Sequence, residues 1–216
     1  MNIYQNNRIA LGYTEIDFPL NDLSEYFHHL PVVELKQIHS NKILFSSEIR
    51  PGTSGDGIIL DTIKRIALIK TADCVPLFFW NQDFSCAGII HCGWKGLQKK
   101  IEKNLIDIIK ERRITAEKFW FYLGPGIEKK CYPVGPELYE SFYAHNYRKQ
   151  VFSKKRRGGF FLDIKKAIFL SLIELGISSE RIIDSNICTF CEENRFPSFR
   201  RDGKSKNRIY NFLLLK

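Results

Sequence analysis

Short apolar segments separated by turn residues dominate the first half of the chain. Seven segments of four to seven residues are rich in β-branched or aromatic side chains, a composition that predicts strands. They cover residues 8–13, 32–38, 42–46, 57–60, 65–70, 75–80 and 87–91. Before the fourth segment, the sequence Pro51-Gly52-Thr53-Ser54-Gly55 is typical of a loop. This half of the chain is therefore predicted to build mainly β-sheet.

In the second half of the chain, apolar residues recur with helical spacing. From Leu97 onward, apolar residues recur every three or four positions, which predicts a helix over 96–112 with one apolar face. Further helices are predicted over 136–143 and 163–175. The remaining predicted strands are 118–123, 182–187 and 208–215. Because no repeat or linker divides the chain, we expect one α/β or α+β domain over 1–216, with a layered mixed β-sheet flanked by helices.

Composition narrows the class of protein. Apolar residues make up 44% of the 216 residues, which excludes a disordered chain because disorder requires low hydrophobicity. Lys and Arg outnumber Asp and Glu by 33 to 24, giving a net charge of +9. This charge favours an anionic partner, although a solvated basic surface accounts for it equally well. The densest basic run, 154–157, predicts an exposed loop. Without a helix-turn-helix, zinc-finger spacing or a basic stripe interleaved with aromatics, no specific nucleic-acid partner is predicted.

The sequence also indicates a compartment. Its first residues lack an apolar run behind a basic segment, so no signal peptide is predicted. The strongest apolar run, 75–80, has six residues. A membrane-spanning helix needs about 20. These features predict a cytoplasmic protein without a membrane partner. In that compartment the six cysteines are expected to be buried thiols, metal ligands or a nucleophile rather than disulfides.

Three side chains that can bind metal stand at the ends of apolar segments. They are His39, Cys74 and His91, which together would form a set of two histidines and one cysteine. Three protein ligands leave one tetrahedral position of zinc open, as in catalytic zinc sites. The separations of 35 and 17 residues match no local zinc motif. A second interpretation therefore stays open, in which Cys74 is a nucleophile and His91 or His39 is its base.

Eight short motifs occur in order along the chain, and each is similar to a motif of one bacterial family. They are Lys36-Gln37-Ile38-His39, Gly55-Asp56-Gly57, Thr71-Ala72-Asp73-Cys74-Val75-Pro76-Leu77, His91-Cys92-Gly93-Trp94-Lys95-Gly96-Leu97, Leu123-Gly124-Pro125-Gly126-Ile127, Cys131-Tyr132-Pro133-Val134-Gly135, Cys188-Thr189-Phe190-Cys191 and Ser198-Phe199-Arg200-Arg201-Asp202-Gly203. On these motifs the chain resembles the laccase-domain or YfiH family. Members of that family were once labelled multicopper polyphenol oxidases and later described as purine nucleoside phosphorylases.

The resemblance implies a fold, a metal and a reaction. It implies a single YfiH-like domain with one catalytic zinc held by His39, Cys74 and His91. Copper is the alternative metal, because imidazole and thiolate suit both. The implied activities are phosphate-dependent cleavage of adenosine, inosine, guanosine and methylthioadenosine, and deamination of adenosine. Purine nucleoside and phosphate are then the partners. Whether the chain is a monomer or a homodimer is left open.

Cations and an aromatic residue within the motifs are candidates for substrate contact. Lys95, Arg200 and Arg201 could hold phosphate, although the arginines could instead pair internally with Asp202. Lys95 stands where the family has arginine, so the charge is kept without the bidentate guanidinium. Trp94 could stack on a purine or pack in the core.

Two further candidates lie beside the predicted ligands. Asp73 precedes Cys74 and could move protons during deamination. The favoured interpretation is that this carboxylate orients a ligand histidine. Gln37 stands two residues before His39 and is predicted to line the substrate site.

The remaining cysteines and histidines are predicted to have no chemical role. Cys188 and Cys191 form a lone CxxC, which could be half of a zinc site or a redox pair. Because no second CxxC completes it, buried thiols are expected. His28, His29 and His145 lie among polar residues and are expected at the surface.

Other functions compete with nucleoside phosphorolysis. A Cys/His or zinc hydrolase could act as an amidase that edits peptidoglycan precursors, as is implied for some relatives. A basic module that binds an anion or RNA around a structural metal would account for the charge. A copper polyphenol oxidase is disfavoured, because a multicopper site needs more histidines than the five present.

Overall fold

The computed structural model describes residues 1–16, 18–19, 23, 25–156, 158–203 and 206–216. Its strands are β1 (Asn2–Gln5), β2 (Ile9–Tyr13), β3 (Val32–Glu34), β4 (Ile43–Phe45), β5 (Gly57–Leu60), β6 (Ile66–Thr71), β7 (Val75–Asn81), β8 (Ala87–Cys92), β9 (Phe119–Leu123), β10 (Pro133–Val134), β11 (Phe152–Lys154), β12 (Phe160–Leu162), β13 (Ile182–Asp184) and β14 (Ile209–Leu215). Its α-helices with described bounds are α1 (Trp94–Gln98), α2 (Ile101–Glu111), α3 (Pro136–Ser141), α4 (Arg148–Val151), α5 (Ile164–Glu174) and α6 (Phe199–Asp202).

The strands form two large sheets and one small sheet. The five-stranded sheet has the order β1-β2-β14-β6-β3, antiparallel except for the parallel pair β3 and β6. The six-stranded sheet has the order β13-β9-β7-β8-β5-β4, with parallel pairs only at its two edges. The small sheet, β10-β12-β11, is antiparallel. The expected α+β class with a mixed sheet is confirmed.

Alternating side chains pack the two large sheets against each other. Leu213 of β14 and Phe78 of β7 belong to the same buried cluster, which lies between the sheets. The neighbours of Leu213, Phe212 and Leu214, point to the opposite face and form a cluster with Phe27. This period of two is what a sheet buried on both faces requires.

Helices cover the outer face of the six-stranded sheet. Leu105 of α2 and Ile168 of α5 share a buried cluster with Leu77 and Phe79 of β7. The layers therefore run from the five-stranded sheet through the six-stranded sheet to the helices. The predicted layering with flanking helices is present.

One predicted helix, 96–112, is divided into α1 and α2. Lys100 adopts a left-handed conformation, with φ of 58°, between them. The amide of Lys100 donates to the carbonyl of Leu97 and closes α1, after which the chain changes direction. Neither Gly nor Pro marks this break, so the continuous apolar spacing predicted a single helix incorrectly.

The other predicted elements are present, most of them with shifted ends, and several short strands were not predicted. The segment 32–38 ends as a strand at Glu34, and 182–187 ends at Asp184. The strand β1 and the small sheet were missed because strands of two to four residues show too little alternation. In the basic run, Lys154 closes β11, and residue 157 lies outside the described residues.

The three histidines predicted at the surface differ in their exposure. His28 and His29 are exposed, whereas His145 is buried. The prediction for His145 is wrong because its ring packs between Phe142 and Tyr147, with centroids 4.9 and 5.2 Å away. Among the described residues, the structure contains no helix with the length and hydropathy needed to cross a bilayer.

Candidate metal centre

The structure brings His39, Cys74 and His91 together. His39 lies in the loop after β3, Cys74 in the turn between β6 and β7, and His91 near the end of β8. One ligand atom from each lies within 4.8 Å of the other two. Because β6 and β7 belong to different large sheets, the cluster sits where the chain crosses from one sheet to the other.

Strand register and one glycine allow this close approach. In the antiparallel pair of β7 and β8, Pro76 is opposite His91, so Cys74 comes next to Gly93. A Cβ atom at Gly93 would lie 2.9 Å from Cys74 Sγ and 3.1 Å from His39 Cδ2. The first distance is shorter than real Cβ contacts, so a larger residue at Gly93 would push the ligands apart.

Asp56 orients one histidine. Its carboxylate is fully buried, and its Oδ1 lies 2.9 Å from Nδ1 of His91. An ionised carboxylate only accepts hydrogen bonds, so Nδ1 of His91 carries a proton and Nε2 is the atom that would bind a metal, after giving up its own proton. Asp73 was expected to have this role. The Gly55-Asp56-Gly57 motif contained the signal, but the sequence alone does not bring Asp56 to His91.

The same carboxylate holds the loop that carries His39. The backbone amides of Ile38, His39 and Ser40 donate to Asp56 at 3.3, 3.0 and 2.6 Å, and the Ser40 hydroxyl donates at 2.7 Å. His39 accordingly adopts a left-handed conformation with φ of 56°. Burial acts to raise the pKa of Asp56, but the hydrogen bonds from His91 and Ser40 outweigh it and lower the pKa to about 2. Asp56 therefore stays ionised at neutral pH.

The electrostatics of the cluster favour a thiolate. Burial acts to raise the pKa of Cys74, but the charge on His91 and hydrogen bonds from His39 and His91 lower it to about 6. Burial acts to lower the pKa of His91, but the charge on Cys74 and the contact with Asp56 raise it to about 9. Thiolate is the form of cysteine that binds metal or acts as a nucleophile.

A cavity of about 520 Å³ opens onto this cluster. Its wall combines three aromatic residues with three cations: Trp94, Tyr132, Phe199, Lys70, Arg200 and Arg208. An adjoining cavity of about 510 Å³ shares Trp94, Tyr132 and Arg200 with it. The two cavities therefore form one cleft that starts at the cluster.

Some of the residues predicted to contact substrate line the cleft, and others do not. Arg200 lines both cavities, with its guanidinium carbon 5.0 Å from the Tyr132 ring centroid. Trp94 also lines both. Lys95 is exposed, lines neither cavity, and has its Nζ 5.4 Å from the Trp94 ring. Tyr132 reaches the cleft from the loop before β10, and no feature of its motif had marked it as a cleft residue.

The guanidinium of Arg201 points away from the cleft. It donates to the carbonyl oxygens of Thr189, Phe190 and Phe196 at 2.8 to 3.0 Å and to the Asp202 carboxylate. Arg201 therefore fixes the loop around residues 189–196. It also forms the internal ion pair with Asp202 that was the predicted alternative to phosphate binding.

Asp73 and Gln37 line the cavity, but their polar groups are already hydrogen-bonded within the protein. The Asp73 carboxylate accepts from the Thr189 hydroxyl at 2.8 Å and from the Arg200 amide at 2.7 Å. This arrangement positions Arg200 and does not orient a histidine. The Gln37 amide group donates to the carbonyl and accepts from the amide of Lys70, both at 2.8 Å.

Comparisons with known proteins agree with the fold and the motifs. Residues 21–216 match the family described as multi-copper polyphenol oxidoreductase laccase. A purine nucleoside phosphorylase of Clostridium acetobutylicum is 31% identical over 199 residues, covering 91% of this chain and 82% of that protein. An adenosine deaminase from an unknown prokaryotic organism is 29% identical over 150 residues, 68% of this chain and 57% of that protein.

A solved structure carries the same fold. The crystal structure of Bacillus licheniformis protein YfiH superposes with a TM-score of 0.88, at 23% identity, over 96% of this chain and 93% of that one. The match of the family model over nearly the whole chain, together with these relatives, confirms the family that the motifs predicted. The chain belongs to the YfiH family, whose model is described as multi-copper polyphenol oxidoreductase laccase.

Proposed function

We propose that this protein is a zinc-dependent purine nucleoside phosphorylase with adenosine deaminase activity as a side reaction. The observation that carries the proposal is the cleft, in which two histidines and a cysteine lie beside aromatic and cationic walls. Its volume is within the range of small-molecule sites. The names of the relatives support this choice of substrate.

The residues present fit a zinc ion. Nε2 of His91 is oriented by Asp56, Cys74 is a thiolate at neutral pH, and His39 completes a borderline-soft donor set. A bound zinc supplies a Lewis acid that polarises an oxygen atom. Copper suits the same donors, so metal content is part of the test.

Cations on the cleft wall suit the phosphate co-substrate. Arg200 lines the cavity, and its backbone amide is fixed by Asp73. Arg208 and Lys70 line the same cavity, and Lys70 also pairs with Glu34 at 2.5 Å. A guanidinium can bind two phosphate oxygens at once, which orients the nucleophile toward the sugar.

Aromatic residues suit the purine. Trp94 and Tyr132 line both parts of the cleft and offer flat faces to a base. Burial raises the pKa of Tyr132, and the nearby Cys74 thiolate raises it further, so the phenol stays protonated at neutral pH. A protonated phenol can donate a hydrogen bond to the purine as it leaves.

Product analysis tests the proposal. Zinc-loaded protein is incubated with adenosine, with and without phosphate, and the products are separated by chromatography. We expect adenine only when phosphate is present, no adenine from the His91→Ala variant, and normal turnover by the exposed control His29→Ala. Inosine formed without phosphate would reassign the main reaction to deamination. No turnover in either condition would contradict both activities.

One observation favours a second candidate, the Cys/His amidase. The lowered pKa of Cys74 and the raised pKa of His91 also suit a thiolate–imidazolium pair, in which Cys74 is the nucleophile and protonated His91 gives its proton to the leaving amine. Alkylation of Cys74 separates the two candidates. In the zinc enzyme, bound metal protects Cys74 from alkylation and is needed for activity, whereas an amidase would be most active, and most readily alkylated, without metal.

A further inference from the structure

Three cysteines from distant parts of the chain meet outside the candidate metal centre. Cys131 ends the short 3-10 helix Lys129–Cys131, and Cys188 and Cys191 lie in the loop after β13. The three Sγ atoms lie within 4.8 Å of one another. Sγ of Cys131 is 3.3 Å from Sγ of Cys191. Cys191 is exposed, so the prediction of two buried thiols holds only for Cys188.

The backbone around this trio, which we call the trithiol cluster, is fixed by hydrogen bonds. Residue Cys188 forms a bridge with Gly126, and the Thr189 amide donates to the Gly126 carbonyl at 3.2 Å. The Glu128 amide donates to Sγ of Cys188 at 3.4 Å, a contact that stabilises negative charge on sulfur. The three sulfur atoms are therefore held together by the fold before any ligand binds.

The short distances between the sulfur atoms favour a shared cation. Sγ of Cys131 and Sγ of Cys191 are 3.3 Å apart, so thiolates at these two positions would be in direct contact. Adjacent thiolates repel each other, and a positive ion between them removes that repulsion. Because Cys191 is exposed, an ion can enter from solvent.

We propose that Cys131, Cys188 and Cys191 bind one thiophilic cation, Zn²⁺ or Cu⁺, in a second metal site. Thiolates select these soft or borderline ions over Mg²⁺ and Ca²⁺. Each thiol that binds releases its proton to solvent, and the sulfur donates an electron pair to the metal without any change in oxidation state. Metal binding by these cysteines does not require that the proposed nucleoside reaction takes place.

The second site is connected to the cleft. The hydroxyl of Thr189, next to Cys188, donates to Asp73 at 2.8 Å, and Asp73 holds the backbone of Arg200. Tyr132, which lines the cleft, directly follows Cys131. An ion in the trithiol cluster would therefore join the loop that carries Tyr132 to the loop before α6, the helix that carries Arg200.

Titration of reduced, metal-free protein with Cd²⁺ tests this site, because Cd²⁺ bound to thiolate absorbs in the ultraviolet. We expect about two equivalents per chain for the natural protein and about one for Cys191→Ser or Cys131→Ser. The control Cys86→Ala, a buried thiol outside both clusters, should keep about two. The double variant His39→Ala and His91→Ala should retain the thiolate absorbance of the second site.

Differential alkylation of the natural protein provides a measurement that needs no variant to fold. With Zn²⁺ bound, mass spectrometry should show Cys131, Cys188 and Cys191 protected, in addition to Cys74. The proposal is overturned if the natural protein binds a single Cd²⁺ and the serine variants leave its absorbance unchanged. It is equally overturned if Cys131 and Cys191 are recovered as a disulfide, or if Zn²⁺ leaves Cys191 open to alkylation.

Discussion

Nδ1 of His91 lies 2.9 Å from Oδ1 of the fully buried Asp56. The same carboxylate binds the amides of the loop that presents His39. One buried charge thus sets the ring orientation of one candidate ligand and the backbone of another. The third, Cys74, lies beside Gly93, where a side chain would collide with it. The candidate centre is therefore built by the fold in advance of metal.

Replacing Asp56 by Asn should weaken metal binding. The amide can no longer accept from all of its present donors, so His91 loses its orientation and the His39 loop loses its anchor. We expect a loss of zinc affinity of about 10- to 100-fold, measured by competition with a chelator. The matched control is Asp61→Asn, a carboxylate that holds Ser46 and Ser47 instead. Equal affinities for the two variants would argue against the role given to Asp56.

Gly93→Ala should disrupt the same centre through shape alone. Its Cβ would lie 2.9 Å from Cys74 Sγ, whereas the nearest atom outside the helix to the Cβ of the control Gly96→Ala would be the Ser40 carbonyl oxygen, at 3.3 Å. We expect Gly93→Ala to lower zinc affinity by at least about tenfold and Gly96→Ala to change it little. Calorimetric titration of both proteins measures the difference. A Gly93→Ala protein with unchanged affinity would mean that the ligands are more adaptable than the contacts indicate.

Glu102 should make the fold less stable as pH rises. It is fully buried, accepts from the Ser171 hydroxyl at 2.7 Å, and finds no partner among the described residues for Oε2. Burial raises its pKa from 4.5 to about 7. The folded state therefore binds the proton more tightly than the unfolded state. Stability from this proton is complete below pH 4.5 and is lost as pH rises through about 7.

The variant Glu102→Gln should remove this dependence. Relative to it, the natural protein should lose up to about 3 kcal/mol of unfolding free energy between pH 4.5 and pH 8. Chemical denaturation at both pH values measures the change. The exposed Glu111→Gln on the same helix should leave the dependence intact. A natural protein whose stability does not fall relative to Glu102→Gln would show that folding does not raise the pKa of Glu102.

The adjacent Arg200 and Arg201 should have separable roles. Arg200→Ala should raise the KM for phosphate by at least about tenfold with little change in stability, because this guanidinium lines the cleft. Arg201→Ala should lower the unfolding free energy by about 2 kcal/mol, because three carbonyl groups lose charged donors. Steady-state kinetics and denaturation on both variants make the comparison, with exposed Lys95→Ala as the control. Reversed effects would contradict this assignment.

The strands were predictable because alternation and turn residues are local signals. The strand 57–60, for example, has the predicted bounds. The break at Lys100 was not predictable, because the left-handed residue there has no preference for that conformation. It follows from how α1 and α2 pack, which is a tertiary effect.

The candidate metal centre could be predicted only in part from the sequence. The separations between His39, Cys74 and His91 match no local motif, so the set rested on the resemblance to a family. Asp56 and Asp73 are both carboxylates in motifs, and only their contacts reveal which one orients a histidine. The trithiol cluster joins residues about 60 apart, as the contact of Cys131 with Cys191 shows, and spacing alone gives no indication of it.

The most direct test of the proposed function follows phosphorus itself. Zinc-loaded protein is mixed with inosine and inorganic phosphate, and the reaction is observed by phosphorus NMR, with Cys74→Ser as the comparison. We expect a ribose 1-phosphate signal to grow as inorganic phosphate declines, with an equal amount of hypoxanthine released, and we expect neither change with Cys74→Ser. Hypoxanthine released while the phosphate signal stays constant, or full activity in Cys74→Ser, would contradict it.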